Sequence, residues 1–246
     1  MDSQFDLNNK TILVTGGSSG IGKSIANLCS HLGAQTIIVG RNEKRLQENV
    51  SSMGISASYI VADLTSDDDI QALVEKLPKL NGIVHCAGIG HRKMGKQVTR
   101  EDVEKVMRIN FEAPVLLQAA LLSSKKVLPG SSIVFIASKA ASSPSIGNGI
   151  YSASKGALIS YAKCLSLELA PRQIRVNCVN PAMIWTDLIL QGTATKEDLE
   201  LEQQKYPLKR YGQPEDVANM VAFLLSDVSS WLTNSCYDVT GGVNNL

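Results

Sequence analysis

A chain of 246 residues with 44% hydrophobic content carries enough apolar material for a real core, which excludes a disordered protein. Its 24 Lys and Arg against 23 Asp and Glu leave a net charge of +1, and no basic run is interleaved with aromatics, so a small molecule rather than nucleic acid is the expected partner. The five cysteines, Cys29, Cys86, Cys164, Cys178 and Cys236, form no C-x-x-C pair and are odd in number, which predicts buried free thiols in a reducing compartment and no disulfide framework.

At the N-terminus "MDSQFDLNNK" lacks the apolar stretch of a signal peptide. The longest apolar run, "APVLLQAALL" from Ala113 to Leu122, is far short of the roughly 20 residues that span a bilayer. A cytoplasmic protein with no membrane partner is the expectation. Short β-rich runs then alternate with longer helical patterns. The predicted strands are "TILVTG", "QTIIVG", "ASYIVA", "GIVHCAG", "SSIVFIAS", "QIRVNCVNP" and "SCYDVTGG", several nearly all apolar, as strands buried on both faces must be. Segments such as "IGKSIANLCSHLGA" and "YSASKGALISYAKCLSLELA" place apolar residues near every third or fourth position, the pattern of covering helices. The reading is α/β: a single domain over 1–246, Rossmann-type and doubly wound, with a seven-stranded parallel sheet and helices on both faces. A cofactor half at about 1–135 precedes a catalytic and substrate half at about 136–246. The stretch from Asp187 to Tyr206 interrupts the alternation before the last helix, where an active-site lid would be placed.

The first strand runs into "TGGSSGIGKSIA", with Gly16, Gly20 and Gly22 spaced G-x-x-x-G-x-G at the point where strand becomes helix. Glycines there let a pyrophosphate approach the backbone, and the helix N-terminus offers free N–H groups and partial positive charge. Ser18, Ser19 and Ile21 complete the predicted cradle. Eighteen residues after Gly22 the second strand ends in "VGRN". Gly40 occupies the place where an acid would bond a free ribose 2′-hydroxyl, and Arg41 can pair with a 2′-phosphate, with Asn42 following as helix cap and neighbouring contact. NADP(H) is thereby favoured over NAD(H).

In "GNGIYSASKGAL" Tyr151 stands four residues ahead of Lys155, and it alone among the six tyrosines has lysine at that offset. Residues so spaced share one helix face. An unperturbed phenol titrates at about 10, and an ammonium held close lowers that value. His85 reads as a structural histidine, because His31 and His91 form no metal-ligand spacing with it or with each other, and no metal is expected.

Thr15 to Gly22, "HCAG" at His85 to Gly88, Asn110 in "MRINFEAP", Ser138 in "FIASKAA", and Tyr151 with Lys155 stand in one order on one chain. The set resembles the short-chain dehydrogenase/reductase family over essentially the whole length. The ending "YPLKRYGQPEDVANMVAFLLSD" followed by "DVTGG" is similar to the branch containing the 3-oxoacyl-acyl-carrier-protein reductases. The resemblance implies a carbonyl reductase, reversibly an alcohol dehydrogenase, in which the nicotinamide gives hydride and Tyr151 gives the proton. Lys155 would lower the phenol pKa and hold the nicotinamide ribose, Ser138 would bond the substrate oxygen, and Asn110 would hold a water that restores the proton. Cofactor contacts are likewise implied for Asp63 and Leu64 in "VADLT" at the adenine, for the backbone of Cys86, Ala87 and Gly88, and for Pro181, Ile184 and Thr186 in "NPAMIWTDL" at the carboxamide.

Three departures from the family pattern stand out: Cys86 replaces a common asparagine, Ala182 a glycine that often follows the proline, and Asn234 a glycine of the C-terminal turn. A Cβ on Ala182 narrows the space beside the nicotinamide. The expected substrate is a small carbonyl or alcohol, first a 3-oxoacyl thioester, with acyl carrier protein as candidate partner at Lys125, Lys126 and Arg172. A sugar, polyol or steroid dehydrogenase is the alternative. A cofactor-sensing protein without turnover is another, against which the intact Ser138, Tyr151 and Lys155 argue. The helices from Thr99 and from Tyr151 carry more apolar surface than one packed face requires, which predicts a homo-oligomer, by resemblance a homotetramer.

Overall fold

A computed structural model describes residues 5–54, 56–190 and 195–243. In chain order the elements are β1 (Thr11–Thr15), α1 (Gly20–His31), β2 (Gln35–Gly40), α2 (Glu43–Met53), β3 (Ala57–Val61), α3 (Asp67–Lys76), β4 (Leu80–His85) and α4 (Arg100–Met107). A π-helical turn at Arg108–Glu112 then leads into α5 (Ala113–Ser123), β5 (Val127–Ile136), α6 (Gly149–Leu169) and β6 (Arg175–Pro181). The C-terminal part holds α7 (Asp187–Leu190), α8 (Lys196–Gln203), α9 (Pro214–Leu225) and β7 (Ser235–Val239). Every predicted strand is present, and the seven form one sheet in the order β3-β2-β1-β4-β5-β6-β7, all parallel. No helix among the described residues is long and apolar enough to cross a membrane.

The pleat sorts the apolar strands into two cores. Leu13, Ile37, Val39, Ile83, Ile133, Phe135 and Val176 face the layer that includes α3, α5 and α6, while Ile12, Val14, Ile38, Val84, Val134 and Val179 face the layer of α1 and α9. Strand residues point alternately to opposite faces, so a strand covered on both sides must be apolar at successive positions. Each such side chain contributes about 1.5–3 kcal/mol by leaving water. A third cluster gathers Leu199, Tyr206 and Tyr211 against Trp185, Met183 and Ile189 and holds α8 beside the sheet. The expected lid from Asp187 to Tyr206 is therefore anchored at its C-terminal side, and its stretch at 191–194 lies outside the described residues.

Because all strands run the same way, residues following them collect at one edge and residues preceding them at the other. Lys125 and Lys126 precede β5 and Arg172 precedes β6, so all three lie at the edge opposite the glycine turn, Ser138 and Pro181. Two of them are engaged there: Lys126 Nζ donates to the Leu77 carbonyl, and Arg172 Nη2 donates to the Val127 carbonyl at 2.6 Å. A further correction concerns the thiols. Cys29 and Cys178 are buried and Cys86 and Cys236 half-buried, but Cys164 lies exposed on α6.

Candidate active site

The sheet order reverses between β1 and β4, which opens a crevice at their C-terminal ends, the place where open parallel sheets take ligands. The glycine turn lies there. Gly16 has φ +69°, and an ideal Cβ on it would sit 3.0 Å from Ala87 Cα and N; one on Gly22 would sit 2.3 Å from the Gly16 carbonyl oxygen. The turn is thus closed tightly against both β4 and its own helix. Ser19 is the N-cap of α1 yet makes no side-chain cap bond, whereas Asn42, Ser66, Thr99 and Thr195 all cap their helices. The first N–H groups of this twelve-residue helix have no side-chain cap, as is also true of α6, and those of α1 lie at the switch point where they could take a phosphate group.

Two residues that sequence reasoning did not assign hold this turn in place. Thr15 Oγ1 accepts from the backbone N–H of both Cys86 (3.0 Å) and Ala87 (3.1 Å), tying the ends of β1 and β4 together. Buried Asn49 donates through Nδ2 to the Gly17 carbonyl at 2.7 Å. Thr15 left a trace in the sequence, a hydroxyl closing an apolar strand; Asn49 left none.

Ser18 and Arg41 flank the end of β2, where an ideal Cβ on Gly40 would sit 3.5 Å from Ser18 Oγ. Arg41 is exposed, and Asn42 turns to its own helix, its Oδ1 accepting from Arg45 N–H at 3.0 Å. Asp63 follows β3 with one carboxylate oxygen taken by the Thr65 N–H and hydroxyl, at 2.9 and 2.8 Å. These bonds hold its carboxyl below the usual range, with the charges of Arg41 and Arg108 adding to the effect. Leu64 beside it is buried. Across the crevice Pro181 ends β6, Ile184 bridges to Gly212, and Thr186 Cγ2 would lie 3.2 Å from an ideal Cβ on Gly20. The segment from Pro181 to Thr186 is thereby brought against the glycine turn, with Ile21 at the start of the helix beneath it.

Ser138 follows β5 and caps a short 3₁₀ turn, its Oγ accepting from Ala140 N–H at 3.2 Å. Its side chain stands near enough to Tyr151, in the first turn of α6, to affect the phenol, and Lys155 follows one turn later. Burial pushes the Tyr151 phenol upward, and Ser138 offsets part of the rise. Lys155 is 5% exposed; burial brings its ammonium down to about 8. Its Nζ donates to the Ile136 carbonyl at 2.8 Å and lies 5.9 Å from the Tyr151 ring centroid. This corrects the expectation of a phenol already lowered by its lysine. Without a ligand, burial dominates and Tyr151 keeps its proton.

Asn110 sits in the π turn and is fully buried. Its Oδ1 accepts from Ile89 N–H at 2.8 Å, and its Nδ2 donates to the Ile89 carbonyl at 3.0 Å and to Ser154 Oγ at 3.2 Å. Both amide hydrogens are thus committed, and the side chain acts first as a clamp on the chain leaving β4. Cys86, Ala87 and Gly88 run along that chain, and an ideal Cβ on Gly88 would come 3.5 Å from Lys155 Nζ. The Cys86 thiol is pushed up to about 12 by burial, so it is no nucleophile. His85 stacks on Phe135 with ring centroids 4.6 Å apart and bonds Gln118 Oε1 at 2.9 Å, as a structural histidine does.

A glycine turn and helix N-terminus at the switch point of a parallel sheet, with Ser138, Tyr151 and Lys155 gathered at the same end, define an α/β protein with the architecture of a dinucleotide-binding fold. Comparison with known proteins narrows the class. The family model described as "Enoyl-(Acyl carrier protein) reductase" matches residues 16–244. The 3-oxoacyl-[acyl-carrier-protein] reductase FabG of Rickettsia felis is 37% identical over 97% of this chain and 98% of its own. The L-xylulose reductase of Caenorhabditis elegans is 35% identical with both chains fully covered. Among solved structures, a 3-ketoacyl-(acyl-carrier-protein) reductase from Brucella melitensis complexed with NADH superposes with a TM-score of 0.89 at 30% identity, covering 97% of this chain and all of that one. The chain belongs to the short-chain dehydrogenase/reductase family. It is an NAD(P)-dependent oxidoreductase acting on CH–OH or keto groups.

Proposed function

We propose that the protein is an NADPH-dependent reductase of 3-oxoacyl thioesters, working reversibly as an alcohol dehydrogenase. The observation that carries this reading is the gathering of buried Ser138, half-buried Tyr151 and buried Lys155 at the crevice edge, with the phenol raised above its ordinary value. The glycine turn with Ser18, Ser19 and Ile21 would hold the pyrophosphate, Arg41 the 2′-phosphate, and Asp63 with Leu64 the adenine. Cys86 to Gly88 would line the cofactor by backbone, and Pro181, Ile184 and Thr186 the carboxamide. When bound, the nicotinamide supplies the hydride that adds to the carbonyl carbon.

The chain's own groups do the rest. Ser138 and Tyr151 donate hydrogen bonds to the substrate oxygen and orient it. As negative charge grows on that oxygen, Tyr151 transfers its proton, which a neutral phenol can do and a phenolate cannot. Lys155, still largely an ammonium at neutral pH, stabilises the tyrosinate left behind and would hold the nicotinamide ribose. Tyr151→Phe removes only the hydroxyl, so turnover should fall by roughly 10²–10⁴-fold with NADPH affinity unchanged. Wild-type turnover in that variant would refute the role.

A keto sugar or polyol is the second reading, favoured by the full-length likeness to an L-xylulose reductase. Turnover of 3-oxoacyl thioesters, 2-enoyl thioesters and keto sugars with NADPH separates the candidates, and a clear preference for the sugar would displace the thioester. Lys125, Lys126 and Arg172, at the far edge of the sheet, could bring an acyl carrier only to the site of another protomer. That role therefore depends on the homotetramer proposed with it.

A further inference from the structure

The chemistry above leaves unused a group of cations at the mouth of the crevice. The loop from Gly88 to Thr99 leaves β4 at the site and carries His91, Arg92, Lys93 and Lys96 without one acidic residue. Its course is fixed: Lys93 N–H donates to the Gly147 carbonyl at 2.9 Å, and Lys93 Nζ bonds both Asp102 oxygens at 2.9 and 2.7 Å. Asp102 also lies 3.3 Å from His91 Nε2 and closes the capping box of α4 with Thr99. Arg100 pairs with Glu104 at 3.8 Å. Arg92 and Lys96 are exposed and, among the described residues, have no carboxylate within 4.0 Å. Two positive charges thus stand uncompensated on a loop whose other lysine, Lys93, is paired with Asp102.

Their place matters as much as their charge. An ideal Cβ on Gly147 would sit 3.0 Å from Arg92 Cγ, so the arginine stem lies against the loop that opens α6. The four residues from Gly147 to Tyr151 span at most ~14 Å, which puts the guanidinium within reach of an extended arm seated at Tyr151. Apolar side chains stand on the same loops: Leu188 on α7 leans toward Gly90, with 3.5 Å between its Cδ1 and an ideal Cβ there, and Met94 and Ile146 expose their side chains, Ile146 by 75%. Cations flanked by exposed apolar side chains complement a ligand with an apolar acyl group, a slender linker and a terminal phosphate.

We infer that Arg92 and Lys96 bind the phosphate of a phosphopantetheine arm whose acyl thioester reaches Tyr151. The inference rests on the thioester reading of the site. Arg92 supplies the planar fork that matches a phosphate, and Lys96 adds a point charge. The same phosphate occurs on a carrier-bound arm and within coenzyme A, and the substrates of the test separate the two.

Wild type and an Arg92→Ala, Lys96→Ala double variant would be assayed with NADPH on 3-oxoacyl thioesters of pantetheine, phosphopantetheine, coenzyme A and acyl carrier protein. Both replaced side chains are exposed, so the fold is undisturbed. KM should rise about ten- to a hundredfold for phosphopantetheine and for the carrier, with kcat, KM for NADPH and all constants for pantetheine unchanged. Equal losses with pantetheine and phosphopantetheine would overturn the inference. So would a loss confined to coenzyme A, since the nucleotide phosphates would then be the ones read. A wild type that reduces no thioester, pantetheine included, would instead sink the proposed function beneath it.

Discussion

Arg41 stands exposed at the end of β2 with a glycine before it where an acid would select a free ribose hydroxyl, and Ser18 Oγ lies beside that glycine. A charged hydrogen bond is worth about 1.5–3 kcal/mol, so Arg41→Ala should weaken NADPH by roughly ten- to a hundredfold and leave NADH nearly untouched, as fluorescence titration of both cofactors would show. Equal losses would remove the basis for NADP selection. His85 sets a different single-residue property. Burial brings its imidazole down to about 4, below the ordinary 6.5 of an unfolded chain. The unfolded state therefore binds more protons between these values, and stability is lost as pH falls through that window, by about 3 kcal/mol in full. In urea melts from pH 7 to 4, His85→Gln should flatten this decline; an unchanged slope would place the acid sensitivity elsewhere. Ser138, Tyr151 and Lys155 were singled out in the sequence by their order on the chain and its resemblance to a family, and the structure brings them to one end of the sheet. Asn49 was not, since its side chain bonds a carbonyl 32 positions away.

At the scale of elements, the long helix expected from Thr99 is divided between α4 and α5 by a π turn that holds Asn110. The register shift has a local cause in its partners: the Asn110 amide meets both backbone groups of Ile89, on the chain leaving β4. No periodicity announces such a bond, because the partner arrives only when the sheet has formed. Asn110→Ala would leave the half-buried Ile89 N–H and C=O without their side-chain partner, at up to about 1–3 kcal/mol per group, and loosen the chain beside Lys155. Denaturant midpoints and kcat should fall together, whereas Asn110→Asp, which keeps the acceptor for Ile89 N–H, should lose less. A variant as stable as wild type would show that the clamp is dispensable. All seven strands, by contrast, were found in the sequence: in the central ones burial on two faces forces an apolar run, while the edge strands β3 and β7 are only partly buried and the starts of β4 and β5 lie before the predicted segments. The edge on which Lys125, Lys126 and Arg172 fall was also decidable from strand direction: residues that precede a parallel strand cannot share an edge with those that follow it.

For the whole molecule, the helices expected to carry surplus apolar surface do so. Val103 on α4, Leu116 on α5 and Leu167 on α6 are all exposed, the last by 67%. Covering them with other copies of the chain is the economical explanation. Light scattering on eluted protein should report a tetramer, and a Leu116→Glu, Leu167→Glu variant should fall to a smaller species; a wild-type monomer at micromolar concentration would contradict both. The chain has two tryptophans, and they occupy opposite environments. Trp231 is 95% exposed ahead of β7, while Trp185 is half-buried between Ile184 and Thr186, 5.5 Å from the Tyr211 ring and bonded to Gln203 at 3.1 Å. Light emitted by the first therefore comes from an indole in water, and light from the second from an indole packed against the Tyr211 ring. A reduced nicotinamide absorbs where indole emits, so in a Trp231→Phe chain the one remaining lamp, next in sequence to Thr186 of the proposed carboxamide segment, should dim when NADPH is added.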